Sequence, residues 1–291
     1  MNTRKYRLIG WSGLIGMTLL VCLAGCKKDE QSVLHIARAD YQPQQVEKTY
    51  IGLGLDDMVA YWDDTDHVKI NGSKYPLSNV SVTQAEASDV PSVNGGYAAV
   101  YPSGSFTGSG GSATGGSVDI PDLQTYRVKN GKQIINAPMA AKLPSTSGVL
   151  YFRNVASLLR IAVMNGNESS HSFTVNSISV TADNSVNLSG TQAFTFPTNT
   201  EGSDLTIGSL TSGGNVSLTG CDAAGAITAG DMKVFNIVVA PYSTACKLTI
   251  TVNGTLQGGS ADNYTITQNT ARTLSHGEVA VQFFATNFDK Q

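Results

Sequence analysis

The sequence predicts an all-β protein of the sandwich class, and three observations predict it. Glycine contributes 30 of 291 residues, and Ser, Thr, Val and Asn are abundant; this composition favours many short strands joined by tight turns. Asn-Gly supplies the positive φ that both central residues of a type I′ hairpin turn need. It occurs five times, at Asn71-Gly72, Asn94-Gly95, Asn130-Gly131, Asn165-Gly166 and Asn253-Gly254. Between these turns lie segments of alternating polarity. They are His67 to Ile70, Tyr97 to Tyr101, Thr125 to Val128, Val149 to Phe152, Leu158 to Val163, Phe173 to Val180, Val234 to Val239, Leu248 to Val252, Tyr264 to Thr267 and Val279 to Phe284. Short strands with turns this frequent argue for sandwiches. Helix signals are scarce, the one hint after residue 30 being Val155 to Leu159.

The N-terminus carries an export address. Arg4, Lys5 and Arg7 form a basic stretch, an apolar run follows from Leu8 to Ala24, and it ends in Leu23-Ala24-Gly25-Cys26. That ending has the small-residue shape of a processing site and resembles the bacterial lipobox. The resemblance implies a signal peptide over 1–25, with Cys26 as the first mature residue and the bearer of the lipid. The run contains Trp11, Ser12 and three glycines, and it falls short of the ~20 apolar residues of a clean spanning helix. An acyl anchor therefore fits better than a transmembrane segment. Lys27-Lys28-Asp29-Glu30 is a charged tether with nothing apolar to pack; it resembles the export signals that follow the lipid cysteine in surface lipoproteins of Bacteroidetes.

Removing the signal leaves about 265 residues, enough for one large β-domain or two of ordinary size. The polar run Asn165 to Ser170 marks the midpoint break, giving a tether and removable strand over 26–38 and sandwiches over 39–160 and 161–291. Charged residues are 14 % of the chain and the net charge is −3, so no basic face for nucleic acid stands out. Cys221 and Cys246 remain after the signal and the lipidation site. Paired in an oxidising compartment they would stabilise the fold by ~3 kcal/mol; otherwise they are two independent buried thiols.

Reactive chemistry is hard to find. The segment from Ser103 to Ser117 is nearly all Gly, Ser and Thr and reads as a flexible surface loop, with no phosphate-cradling pattern. His35, His67, His171 and His276 are scattered without metal-ligand spacing. There is no G-x-S-x-G elbow. Asp63, Asp64 and Asp66 lack the calcium-loop pattern and read as a solvated turn. No catalytic residue, metal or cofactor is expected. Trp62 reads as a core anchor, and Tyr97 and Tyr101 share one face of a strand.

A family likeness runs through these landmarks in order, over about residues 55 to 255. Trp62-Asp63-Asp64-Thr65-Asp66-His67-Val68-Lys69-Ile70-Asn71-Gly72 is similar to the tryptophan-and-aspartate hairpin near the start of fimbrillin-like proteins. Tyr97-Ala98-Ala99-Val100-Tyr101-Pro102 is similar to their Tyr-Ala-x-Tyr-Pro strand. Gln124-x-Tyr126 and Ala137-Pro138-Met139-Ala140-Ala141 follow. Leu150-Tyr151-Phe152-Arg153-Asn154-Val155-Ala156 resembles the Phe-Lys-His/Asn-x-x-Ala segment, with Arg153-Asn154 departing from Lys-His. Phe235-Asn236-Ile237-Val238-Val239-Ala240-Pro241 resembles the late strand ending in Ala-Pro.

The resemblance implies two tandem transthyretin-like β-sandwiches and a role as a structural subunit of a cell-surface fimbria of the type V pilus kind, contributing to adhesion. In that family subunits travel to the outer membrane as lipoproteins, an arginine-specific protease removes an N-terminal strand, and a neighbour's strand fills the groove. Here Ser32 to Ala37 would be the strand removed, with Leu34 and Ile36 on one face, and the cut would fall between Arg38 and Ala39. The run 279–288, with Val279, Val281, Phe283 and Phe284, would be the donor, or else an ordinary last strand. The implied partners are other fimbrial subunits, of the same or an accessory kind, and the outer membrane through the lipid. The alternative is a non-polymerising surface lipoprotein that binds a glycan or a host protein.

Overall fold

The computed structural model describes residues 33–38, 42–43, 62, 65–81, 84–129, 131–166, 170–197 and 204–286. All belong to one compact unit, Gln31–Gln291. Cys26, Ala39, Asp63 and Asp64, along with residues 287 and 288 of the expected donor run, lie outside the described residues. Among the described residues no helix is long and apolar enough to cross a membrane.

The chain is all-β. Its strands are β1 (Leu34–Arg38), β2 (Gln42–Pro43), β3 (His67–Ile70), β4 (Ser73–Ser78), β5 (Gln84–Ala87), β6 (Tyr97–Tyr101), β7 (Gly104–Thr107), β8 (Gly115–Ile120), β9 (Leu123–Thr125), β10 (Val128–Lys129), β11 (Lys132–Gln133) and β12 (Met139–Leu143). They continue with β13 (Val149–Asn154), β14 (Ser157–Asn165), β15 (Phe173–Ala182), β16 (Gly190–Thr195), β17 (Thr206–Thr211), β18 (Val216–Thr219), β19 (Met232–Val239), β20 (Tyr242–Cys246), β21 (Leu248–Leu256), β22 (Ala261–Thr267), β23 (Arg272–Leu274) and β24 (Glu278–Thr286).

Seven strands close into a ring in the order β1-β13-β12-β6-β3-β4-β5. A sandwich whose two sheets are hydrogen-bonded to each other at both margins is such a ring, and closure removes the exposed strand edges. Period-two alternation turns Leu34, Ile36, Val68, Ile70, Tyr97, Tyr101, Leu150 and Phe152 inward around Trp62. The β3–β4 hairpin has the two-residue turn its sequence predicts: Ile70 pairs with Ser73, and Asn71 and Gly72 have φ of 48° and 90°. The Asn71 side chain also holds the next strand, its Oδ1 accepting from the Ala98 N–H at 2.8 Å.

Strand β6 is buried on both faces. Its outward Ala98 and Val100 pack with Val118 and Phe194 of a second sheet, ordered β17-β16-β8-β7. This sheet corrects the expected Ser103 to Ser117 loop. That segment is β7, a 3-10 turn at Gly110–Ser112 and the start of β8. The glycines answer to close backbone approach rather than to flexibility. A Cβ on Gly116 would meet Ser105 O at 2.0 Å, and one on Gly111 would meet Gly95 O at 2.0 Å.

The second core lies between the sheets β22-β21-β15-β18-β9 and β19-β14-β24-β2, enclosing residues such as Ile161, Phe173, Ile178, Phe235, Val252 and Phe284. Strand β14 runs across residue 160, so its inward Leu159, Ile161 and Val163 belong to this core. Three local expectations are corrected. Val155 to Leu159 is no helix but a bend leading into β14. Thr125 to Val128 splits between β9 and β10. Asn253-Gly254 makes no turn, lying inside β21 opposite Asn263 and Asp262.

Candidate functional site

Strand β1, Leu34–Arg38, covers most of the run expected to be removable. It has a neighbour on both sides. Leu34, His35, Ile36 and Ala37 pair antiparallel with Ala87, Glu86, Ala85 and Gln84 of β5. On the other side His35 to Arg38 pair in parallel with Val149 to Phe152 of β13. Leu34 and Ile36 point into the barrel, 5 % and 1 % exposed, because their alternation matches the pleat. Outward, His35 faces its cross-strand partner Glu86, with Nδ1 and Oε1 3.4 Å apart. With β1 in place the ring is closed; without it, β5 and β13 would be two bare edges around an apolar slot.

Arg38 ends this strand at one mouth of the barrel. It is buried, 4 % exposed, and its guanidinium carbon lies 5.6 Å from the centre of the Trp62 ring. Trp62 in turn meets Tyr101 and Phe152 edge-on, at 5.2 and 5.6 Å between ring centres. The Tyr101 hydroxyl donates to Asp66 Oδ1 at 2.7 Å. Burial, and then the Asp66 carboxylate, push that hydroxyl's pKa well above its ordinary value, so it stays protonated and keeps donating. The mouth is thus an aromatic and ionic plug around the residue expected to be cut.

The second expected element, the donor run, sits in the chain's own second core. Leu158 to Asn165 of β14 pair in parallel with Val279 to Thr286 of β24. Val279 and Phe284 are buried, and Val281 and Phe283 are half-buried. Among the described residues the far margin of β24 carries only the short β2, pairing Gln42 with Glu278 and Pro43 with Val279. Near that margin a groove of about 300 Å³ opens toward β22, lined by Ile266, Val281 and Phe283 among others.

Cys221 and Cys246 are both buried and both free. Cys221 sits in a 3-10 turn, Cys221–Ala224, with its thiol toward Leu218 O at 3.5 Å. Cys246 closes β20. Burial pushes the Cys221 thiol up to about 12, helped by Asp222. Burial also raises Cys246, with Asp183 adding and the Tyr242 hydrogen bond opposing. Both are packed core thiols. Among the described residues no group of three or more His, Cys, Asp or Glu side chains comes together as a metal site.

Sequence reasoning named Gln124 only within the Gln124-x-Tyr126 element and did not single out Gln133. Each reaches the backbone of β19 with both atoms of its side-chain amide.

No family model matches the chain, and no curated protein matches it in sequence. Solved structures of similar shape are candidate cell adhesion proteins from Bacteroides. One from Bacteroides ovatus is 12 % identical, covering 88 % of this chain and 92 % of its own at a TM-score of 0.45. One from Bacteroides uniformis is 15 % identical, covering 90 % and 94 %, also at 0.45. One from Bacteroides fragilis is 12 % identical, covering 87 % and 92 %, at 0.43. At such identities and scores the likeness does not extend to function.

Proposed function

We propose that this chain is a structural subunit of a cell-surface fimbria, delivered to the outer membrane as a lipoprotein through Cys26, assembled by strand exchange and contributing to adhesion. The observation that carries this reading is the seat of β1: one short strand closes a ring, and a single arginine ends it. Cleavage after Arg38 would free β1 from the rest of the chain. Its departure would bare the inward sites of Leu34 and Ile36, each worth ~1.5–3 kcal/mol of burial. It would also strand the backbone N–H and C=O groups of β5 and β13, which cost ~1–3 kcal/mol each when buried without partners. A strand with apolar residues at alternate positions, supplied by another subunit, relieves both.

The donor we assign is β24. In its own chain it has one full-length strand neighbour, β14. In a neighbour's barrel it would gain two, β5 and β13. Its Val279, Val281 and Phe283 stand at alternate positions, as Leu34 and Ile36 do.

The test is the N-terminus of the protein sheared from cells, read by intact mass and sequencing. A terminus at Ala39 is the expected result. A lipidated Cys26 terminus throughout would contradict the strand-exchange role, leaving a pilus anchor or a non-polymerising binder of glycan or host protein.

A further inference from the structure

Among the described residues strand β19 ends its sheet, with β14 on one side only. Such a margin ordinarily presents a row of open N–H and C=O groups. Here two of its residues are held by side chains. Gln124 Nε2 donates to Val238 O at 2.7 Å, and the Val238 N–H donates to Gln124 Oε1 at 2.9 Å. Gln133 repeats the arrangement two residues along: its Nε2 donates to Asn236 O at 2.7 Å and its Oε1 accepts from the Asn236 N–H at 2.8 Å. Gln124 Nε2 also lies 3.2 Å from Pro121 O, and Asn236 Nδ2 lies 3.2 Å from Gln133 Oε1.

Each glutamine therefore gives one strand residue both a donor and an acceptor. That is what the facing residue of an antiparallel partner gives at a hydrogen-bonded pair. Residues two apart on a strand direct these groups to the same side, so the two amides stand where two residues of a missing strand would stand. The segment that supplies them is fixed from behind. Leu123–Thr125 pairs with β18, the Tyr126 N–H donates to Thr219 O at 2.8 Å, and the Tyr126 ring lies 5.4 Å from Phe235. Between segment and strand a groove of about 370 Å³ remains, with Leu123, Ile134, Ile135 and Leu218 in its wall.

We propose that the β19 margin is a second strand-accepting surface of this chain, one that Gln124 and Gln133 hold closed against another copy. The partner it fits is the same margin of a second copy, β19 on β19 about a twofold axis, where one margin meets itself. The strand's own chemistry supports that partner. Val234-Phe235-Asn236-Ile237-Val238-Val239 has no charge and no proline, the composition of a segment that pairs with its own kind when its edge is bare. The inference is independent of whether β1 is removed.

Hydrogen exchange and sedimentation on the purified, uncleaved chain test it. In the wild type the amides of Asn236 and Val238 should exchange as slowly as interior strand amides, and the chain should be monomeric. In the Gln124→Leu, Gln133→Leu double variant exchange at those two amides should quicken by about tenfold or more. Phe235 and Ile237, which pair with Ile161 and Leu159 of β14, should keep their protection, and dimers should form as concentration rises. Wild-type amides that exchange at open-edge rates would overturn the proposal. So would a folded double variant that remains monomeric. Should the double variant unfold, Gln133→Leu alone gives the same two readings at Asn236.

Discussion

Cys221 and Cys246 lie with no exposed surface in the second core, and their protonation ties the fold to pH. A thiol whose folded pKa is raised favours the folded chain fully below its unfolded value of about 8.5 and loses that contribution as pH climbs toward the folded value. For Cys221 the folded value is about 12, and Cys246 shifts in the same direction. Burial also raises Tyr101 and Tyr242, so they extend the loss above pH ~10. The urea midpoint should therefore be level from pH 7 to about 8.5 and fall steadily from about pH 9 upward. A midpoint that stays level to pH 11 would contradict the burial of these groups. At this scale the sequence was legible for large apolar side chains. Trp62 read as a core anchor, Tyr97 and Tyr101 read as sharing one face of a strand, and all three are buried. Gln124 and Gln133 were not legible, because an amide carries no sign of its partner when that partner lies 114 or 103 residues away.

Glycine separates what local sequence says about an element from what packing decides. Asn71-Gly72 turns a hairpin as its local chemistry dictates, since both residues adopt positive φ and nothing crowds Gly72. Asn253-Gly254 has the same two residues and makes no turn. Gly254 is needed because the Phe173 ring crosses the strand there, and a Cβ would meet Phe173 Cζ at 2.1 Å and Thr174 O at 2.7 Å. Gly254→Ala should therefore cost ~1–3 kcal/mol, read as a lowered urea midpoint with unchanged slope. A neutral substitution would mean that the ring moves aside freely. The glycines between 104 and 116 mislead for the same reason: low complexity looks like freedom in one dimension, whereas here it permits backbone contact. Alternation was the more dependable signal. The runs at His67 to Ile70 and Tyr97 to Tyr101 fall on β3 and β6 residue for residue, because there both the period and the turn chemistry point the same way.

Across the whole molecule the all-β, sandwich-type architecture followed from composition and turn spacing, whereas closure of the first core into a ring did not. Closure depends on β1 lying between β5 and β13, strands about 50 and 115 residues further along the chain. No local pattern encodes such a pairing. Strand β14 spans residue 160 and places Leu159, Ile161 and Val163 in the second core. The two cores also differ in what they leave to a partner. The barrel has no strand edge while β1 stays, and β24 is held along most of its length by one neighbour. That asymmetry is what the proposed strand exchange would use. The central claim is that removing β1 converts a closed monomer into an acceptor. The most direct measurement is an unboiled denaturing gel of the uncleaved chain before and after an arginine-specific protease cuts behind Arg38. We predict a single monomer band before cleavage and a ladder of boiling-sensitive multimers after it; a monomer band in both lanes, with cleavage confirmed by mass, would contradict the account.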